Sequence, residues 1–440
     1  MVCIVISGLA VASSAHAGDP TVLPAGSVLG ETAVTLPREI LHDEAASGRQ
    51  SDLAALGNLA FESPQMFGDV ARKAGISCET CHSNGDINRV FFIPGLSDRP
   101  GGLAVVNHLF NPRTDDGLHR HIDIPSLRGV RFLGPYGRDG RIASLREFTR
   151  NVIVNEFAGP EPSPGILDAL VAYMEQIDFL PNPKLTPEGR LTEAADAAAR
   201  RGQALFNQSF PQMGGQACAS CHRPSALFVD HQLHDIGSGG VYRTPTLLNA
   251  EFSAPYFHDG RFANFAEVVD YFDGRYKLGL KRAEKEDLVA YLDAVGDAKQ
   301  PFEAANPDAD LDELMAFARP LDRALAEHDQ DTISLIVNTI AHEMRELQER
   351  FPGPTDPLGA DNAKLLRPAR AAGARLVIAM RRVALYAGED RYEDATQALA
   401  AFRRDLAQAR PVFAAAVPVS LYNPDRAAHH LALIADVSGQ

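Results

Sequence analysis

The chain has 440 residues, enough for about two to four domains, and 45% of them are hydrophobic, the ordinary share for a chain that buries cores. With 57 Asp and Glu against 42 Lys and Arg, the formal charge of −15 excludes a nucleic-acid binder, since neutralising phosphates takes a basic face. After the N-terminal segment no stretch approaches the ~20 uninterrupted apolar residues of a membrane-spanning helix, so no membrane span is expected in the mature chain.

Residues 1–17 read as an export signal. Val2 to Val11 is apolar, and Ala15-His16-Ala17 has the small-x-small form of a cleavage site before Gly18. The expected location is the periplasm. Residues 18–57 form an N-terminal segment without readable chemistry. Of the five cysteines, Cys3 lies in the signal and four sit in Cys78-Glu79-Thr80-Cys81-His82 and Cys218-Ala219-Ser220-Cys221-His222. None is left for a disulfide. The spacing of each motif lets two thiols add across the vinyl groups of one haem and delivers the next residue, a histidine, to the iron. Two covalently bound haem c groups are therefore expected, with His82 and His222 as proximal ligands.

Each motif precedes a repeated stretch: Pro125 to Arg141 aligns without gaps on Pro245 to Arg261. Each stretch precedes an apolar-periodic segment, Asp168-Ala169-Leu170-Val171-Ala172-Tyr173 and Glu286-Asp287-Leu288-Val289-Ala290-Tyr291, read as amphipathic helices. Haem site, loop and closing helix is the order of a small cytochrome c domain. The expected fold is mainly α, with two such domains in tandem at 58–180 and 188–298. Pro181 to Pro187 links them, because its prolines block a continuing helix. A helix over 194–206 leads into the second motif. Beyond 300, Leu311, Leu314, Ala318, Leu321 and Leu325 recur at helical spacing, as do Ile333, Ile336, Val337, Ile340, Met344 and Leu347. Residues 305–440 are expected to form a helical bundle with a structural or docking role. His342-Glu343-Met344-Arg345-Glu346 lacks the second histidine of a zinc HExxH motif.

Two CxxCH units, each followed by Pro-Tyr-x-x-Asp-Gly-Arg (Pro135 to Arg141, Pro255 to Arg261), resemble the bacterial di-haem cytochrome c peroxidase and MauG family over about residues 60–298. The resemblance implies that the first haem reacts with hydrogen peroxide, that the second relays electrons, and that Ca²⁺ sits between the domains. Its ligand register for the second haem falls on Phe272, which cannot bind iron, so Tyr271 beside it is the candidate axial ligand. The family's tryptophan between the haems corresponds to Arg138, leaving Tyr136 and Tyr256 as aromatic stepping stones. Glu156 matches the distal acid for proton transfer. His119 and His121, with His108 behind them, are candidate axial ligands of the first haem. Asp123, with the carbonyls of Ser253 and Pro255, matches the calcium site. Arg141 and Arg261 are candidate partners of haem propionates, and His234, His258 and Asp259 are supporting groups. The implied activity is peroxide reduction by a periplasmic oxidoreductase fed by a small cytochrome c or cupredoxin, to which a charge of −15 would steer a basic donor. The alternatives are MauG-like oxidation of a partner protein and a non-enzymatic di-haem electron carrier.

Overall fold

The computed structural model describes residues 22–30, 33–42, 50–104, 106–118, 120–353, 359–360 and 362–430. The expected export signal lies outside them. The protein is mainly helical.

Strand β1 (Thr35–Pro37) leads into helix α1 (Asp52–Phe61), started by Ser51, whose hydroxyl accepts the Ala54 N–H. Helix α2 (Asp69–Lys73) and the one-turn helix α3 (Cys78–Cys81) follow. A two-stranded ribbon, β2 (Gly102–Ala104) against β3 (His121–Asp123), comes next. Helix α4 (Leu145–Asn151) runs directly into a π-turn over Val152–Glu156. Helix α5 (Pro164–Met174) closes this first unit, with Ser163 as its cap and Pro164 at its first position. Helices α1 and α5 cross at Gly57, where a Cβ would stand 1.8 Å from the Ala169 carbonyl oxygen. One turn later the Phe61 ring meets Tyr173, centroids 5.1 Å apart.

The second unit repeats this plan. It contains α6 (Ala197–Phe206), α7 (Cys218–Cys221), the ribbon β4 (Leu233–His234) with β5 (Tyr242–Arg243), α8 (Phe265–Tyr276) and α9 (Arg282–Gly296). Here α6 and α9 cross at Gly202, whose Cβ would lie 1.9 Å from the Asp287 carbonyl oxygen, and Phe206 meets Tyr291 at 4.9 Å. The loops match as well: the Tyr136 hydroxyl donates to the Val130 carbonyl (3.3 Å) and that of Tyr256 to Ala250 (3.1 Å).

The first unit begins before residue 58, because a boundary there would cut α1. The N-terminal segment is also structural, since β1 pairs antiparallel with β6 (Phe302–Ala304), Thr35 opposite Ala304. After β6 come α10 (Pro307–Phe317), α11 (Leu321–Glu327), α12 (Gln330–Glu349), α13 (Ala363–Gly388) and α14 (Tyr392–Ala416). The first apolar run is two short helices, because Pro320 intervenes and His328 ends α11 at φ 56°. These helices share one apolar core, from Leu311 through Ile340, Leu376 and Phe402, which also takes in Leu59 of α1. The Thr339 hydroxyl donates to Ser63 Oγ at 2.7 Å, so the layer is seated on the first unit.

Candidate haem sites and the cavity between them

In each unit a tight cap shapes the motif helix. The Ser77 N–H donates to Thr80 Oγ1 at 2.9 Å, and the Ala217 N–H to Ser220 Oγ at 2.9 Å. His82 and His222 then leave the helix at its C-terminal end. His82 Nδ1 lies 2.9 Å from the Pro125 carbonyl oxygen, and His222 Nδ1 lies 3.2 Å from that of Phe228. A carbonyl only accepts, so Nδ1 carries the proton and Nε2 keeps its lone pair, the tautomer a metal ligand needs. Burial pushes His82 down to about 4 and lowers His222 as well, so both rings are neutral donors near pH 7. Burial likewise pushes the Cys78 and Cys81 thiols up to about 12 and that of Cys218 to about 11.

A cavity of about 340 Å³ opens beside His222, Cys218 and Cys221. Phe206, Phe265, Val269, Leu288 and Leu292 give it apolar walls, and Arg138, Arg243 and Ser238 give it a polar end. Buried Arg138 Nε, Arg243 Nε and Ser238 Oγ have no hydrogen-bond partner among the described residues. Burial depresses the guanidinium of Arg138 and pushes that of Arg243 to about 10. Unsatisfied buried donors beside two cations call for anionic acceptors. An apolar slot with an imidazole and two thiols on one side and a cationic end fits a haem c and its two propionates. The wall extends to Pro125, so the residue whose carbonyl holds His82 also borders the cavity of His222.

The structure redistributes several expected roles. Tyr271 does not border the cavity: its hydroxyl donates to the Ile236 carbonyl at 2.7 Å. Phe272 and Tyr276, one turn apart on the same face of α8, border it instead, as does Met213. Arg141 is engaged by Asp139 (3.0 Å) and Glu156 (3.3 Å), and Arg261 by Asp259 (2.9 Å) and the Ser238 carbonyl (2.8 Å). The cavity's own cations are Arg128, which is ion-paired with Asp86 at 3.2 Å, together with Arg138 and Arg243. Arg243 sits on β5, outside the repeated loop, so the repeat could not point to it.

Glu156 is 7% exposed on the π-turn, where it accepts from Arg141 and from Asn151 Nδ2 (3.1 Å). Burial raises its pKa, against the pull of Arg141 and Asn151. Ile153 and Phe157 on either side share an apolar cluster with Cys78 and Cys81. His119 lies outside the described residues. His121 stands on β3 opposite Ala104, and His108 is surface-exposed, 3.9 Å from Asp115. His234 Nε2 meets Asp230 at 2.7 Å, and the His258 ring stacks on Tyr242 at 3.9 Å.

The donor set proposed for calcium does not fit a dication. The Asp123 carboxylate lies 3.5 Å from Arg99 and 3.7 Å from Arg138, which also donates to the Asp123 carbonyl at 2.5 Å. Ser253 and Pro255 line the same cavity wall, but two guanidiniums already hold the carboxylate, and a third positive centre would be repelled.

Residues 196–348 match the family profile described as di-haem cytochrome c peroxidase. That segment is similar to the di-haem cytochrome c peroxidase family. It takes in the second motif and runs into the following helical layer. The chain is also similar to the hydrazine synthase subunit gamma of Kuenenia stuttgartiensis, 27% identical over 41% of this chain and 66% of that protein. It is similar to the cytochrome c551 peroxidase of Nitrosomonas europaea, 23% identical over 57% of this chain and 81% of that one. A shorter likeness, 29% identical over 23% of this chain and 35% of the relative, is to the methylamine utilization protein MauG of Methylorubrum extorquens. A solved structure of Kuenenia stuttgartiensis hydrazine synthase superposes at a TM-score of 0.41 and 22% identity over 67% of this chain and 100% of that one. No described helix is long and apolar enough to cross a membrane. The di-haem peroxidase family implies covalently bound haem c and an oxidoreductase.

Proposed function

We propose that the chain is a periplasmic oxidoreductase with two cytochrome c-like units, which reduces hydrogen peroxide on the first unit with electrons relayed through the second. The electrons come from a small cytochrome c or a cupredoxin. A haem c bound at each motif supplies an iron that accepts and passes single electrons.

The chain's own residues do the rest. His82 and His222 would hold the iron, each ring oriented by a backbone carbonyl at Nδ1 that leaves Nε2 free to donate. Reduction of hydrogen peroxide consumes two electrons and two protons and yields two waters, so the site needs a group that moves protons. Glu156 serves: its raised pKa lets the carboxyl hold a proton nearer neutral pH than an exposed glutamate does, while Arg141 and Asn151 fix its position. The observation that carries the relay is the shared wall, in which Pro125 both holds His82 and borders the His222 cavity. A second reading, MauG-like oxidation of a partner protein, is supported by Tyr276, a phenol on the wall of that cavity.

Steady-state turnover of the haem-loaded protein with hydrogen peroxide and reduced cytochrome c tests the proposal, alongside an EPR count of spin states. The expected result is turnover with one high-spin and one low-spin haem. Two low-spin haems and no response to peroxide would make the protein an electron carrier.

A further inference from the structure

Helix α13 is strongly basic in an acidic molecule. It carries Lys364, Arg367, Arg370, Arg375, Arg381 and Arg382 and no acidic residue. Removing these six positive charges from the chain's net −15 leaves the remaining residues at −21. Arg370 turns inward to the carbonyls of Gln348 and Phe351. The other five cations are exposed, and none of them forms an ion pair among the described residues.

Their arrangement is regular. At ~3.6 residues per turn, Arg367, Ala371, Ala374, Ile378 and Leu385 fall within about 40° of one line along the helix. Lys364, Arg375 and Arg382 flank that line on one side and Arg381 on the other. Ile378 is 52% exposed and Leu385 56%, although either would be buried in an ordinary core. The opposite face, with Leu366, Leu376, Met380 and Val383, is fully spent on the core. The outer face thus runs along a helix about 39 Å long, at ~1.5 Å per residue, with Arg367 and the aliphatic residues in the middle, Lys364, Arg375 and Arg382 on one edge and Arg381 on the other.

We propose that this face of α13 binds the surface of an anionic phospholipid bilayer. Aliphatic side chains between guanidiniums match the boundary between acyl chains and headgroups, where the first insert and the second meet lipid phosphates. A bilayer yields around an exposed helix face, whereas a folded partner must supply a matching groove. The charge separation also fixes orientation: the anionic remainder is repelled by the surface that attracts α13. The docked molecule therefore holds its helical layer to the lipid and keeps the rest of its surface turned away.

Co-sedimentation of the full haem-loaded chain with vesicles tests this without reference to peroxide turnover. Vesicles of phosphatidylglycerol mixed with phosphatidylcholine are expected to bind the protein, the binding weakening as salt is raised, and vesicles of phosphatidylcholine alone are not. The triple variant Arg375→Glu, Arg381→Glu, Arg382→Glu is expected to lower the partition roughly tenfold or more. Ile378→Asn with Leu385→Asn should lower it several-fold, with helicity and haem absorption unchanged in both variants. Absence of binding to the anionic vesicles, or equal binding by the charge-reversed variant, overturns the proposal. So does salt-sensitive self-association abolished by the same substitutions without vesicle binding, which would make the occupant the acidic surface of a second copy.

Discussion

Tyr271 and Tyr276 lie five residues apart on α8 and serve different ends. The first spends its hydroxyl on the Ile236 carbonyl, and the second faces the cavity beside His222. Tyr276→Phe is therefore expected to change the EPR and absorption signature of the second haem, while Tyr271→Phe leaves it unchanged and costs about 1 kcal/mol of stability for the lost hydrogen bond. The opposite pattern in the two spectra would return the role to Tyr271. Glu156→Gln keeps size and hydrogen bonding but cannot carry the proton. Peroxide turnover is expected to fall about 10²- to 10⁴-fold with haem absorption intact, and a change under threefold would remove Glu156 from the chemistry. Asp123 supports a third expectation. Because Arg99 and Arg138 occupy its carboxylate, adding a calcium chelator should leave turnover and thermal midpoint as they were. A loss restored by added Ca²⁺ would show the guanidiniums giving way to the ion.

At the scale of elements, the contact between the first unit and the helical layer holds an unusual density of acid. A cavity of about 160 Å³ is lined by Glu62 after α1, Glu79 in α3, Asp310 and Glu313 in α10, and Glu343 and Glu346 in α12, with His342 and Arg350 beside them. Burial is the main reason that Glu62, Glu79 and Glu343 stand well above the carboxylate range and that Glu313 is pushed up to about 7; mutual repulsion adds to it. Glu346 is the exception: burial acts on it too, but His342, Arg350 and Arg345 outweigh it and hold the pKa down. Raised carboxyl pKa values mean that the folded state keeps protons the unfolded chain has released. Stability from this cluster is thus fully present below about 4.5, the ordinary glutamate value, and drains away as pH rises through about 7. Calorimetry is expected to show a lower midpoint at pH 8 than at pH 5, with the slope flattened by Glu62→Gln combined with Glu343→Gln. A midpoint that stays level or rises over that interval would contradict the assignment. Only its local pieces were legible in the sequence, the stretch His342 to Glu346 and the pair Asp310 and Glu313 three residues apart; that Glu62 and Glu79 join them was not, because they come from distant segments. The helices were legible, since apolar periodicity is local; what they bring together is not.

For the whole molecule the decisive relation is between the two units. The motifs, the histidines and the repeat could be read directly because each is written within about twenty residues. The stitching between units depends on which loop meets which. The Asp123 N–H donates to the His258 carbonyl at 3.1 Å, the Arg243 N–H to the Arg138 carbonyl at 3.0 Å, and His231 Nδ1 meets the Gly134 carbonyl at 2.8 Å. Arg138 stands at the centre of this seam, where the family resemblance leads one to expect tryptophan. Its guanidinium holds Asp123 in the first unit and borders the cavity of the second. One side chain thus does two things that a ring could not: it holds Asp123, whose own N–H reaches the second unit at His258, by charged hydrogen bonds, and it supplies a cation to the cavity. Arg138→Leu removes both without adding bulk. The expected outcome is separation of one cooperative unfolding transition into two, together with slower reduction of the first haem after electrons enter the second. The absorption of the first haem should stay as it was, since His82 and Pro125 are untouched. Unchanged inter-haem transfer alongside split unfolding would assign Arg138 to the seam alone and leave the electron path to the wall at Pro125.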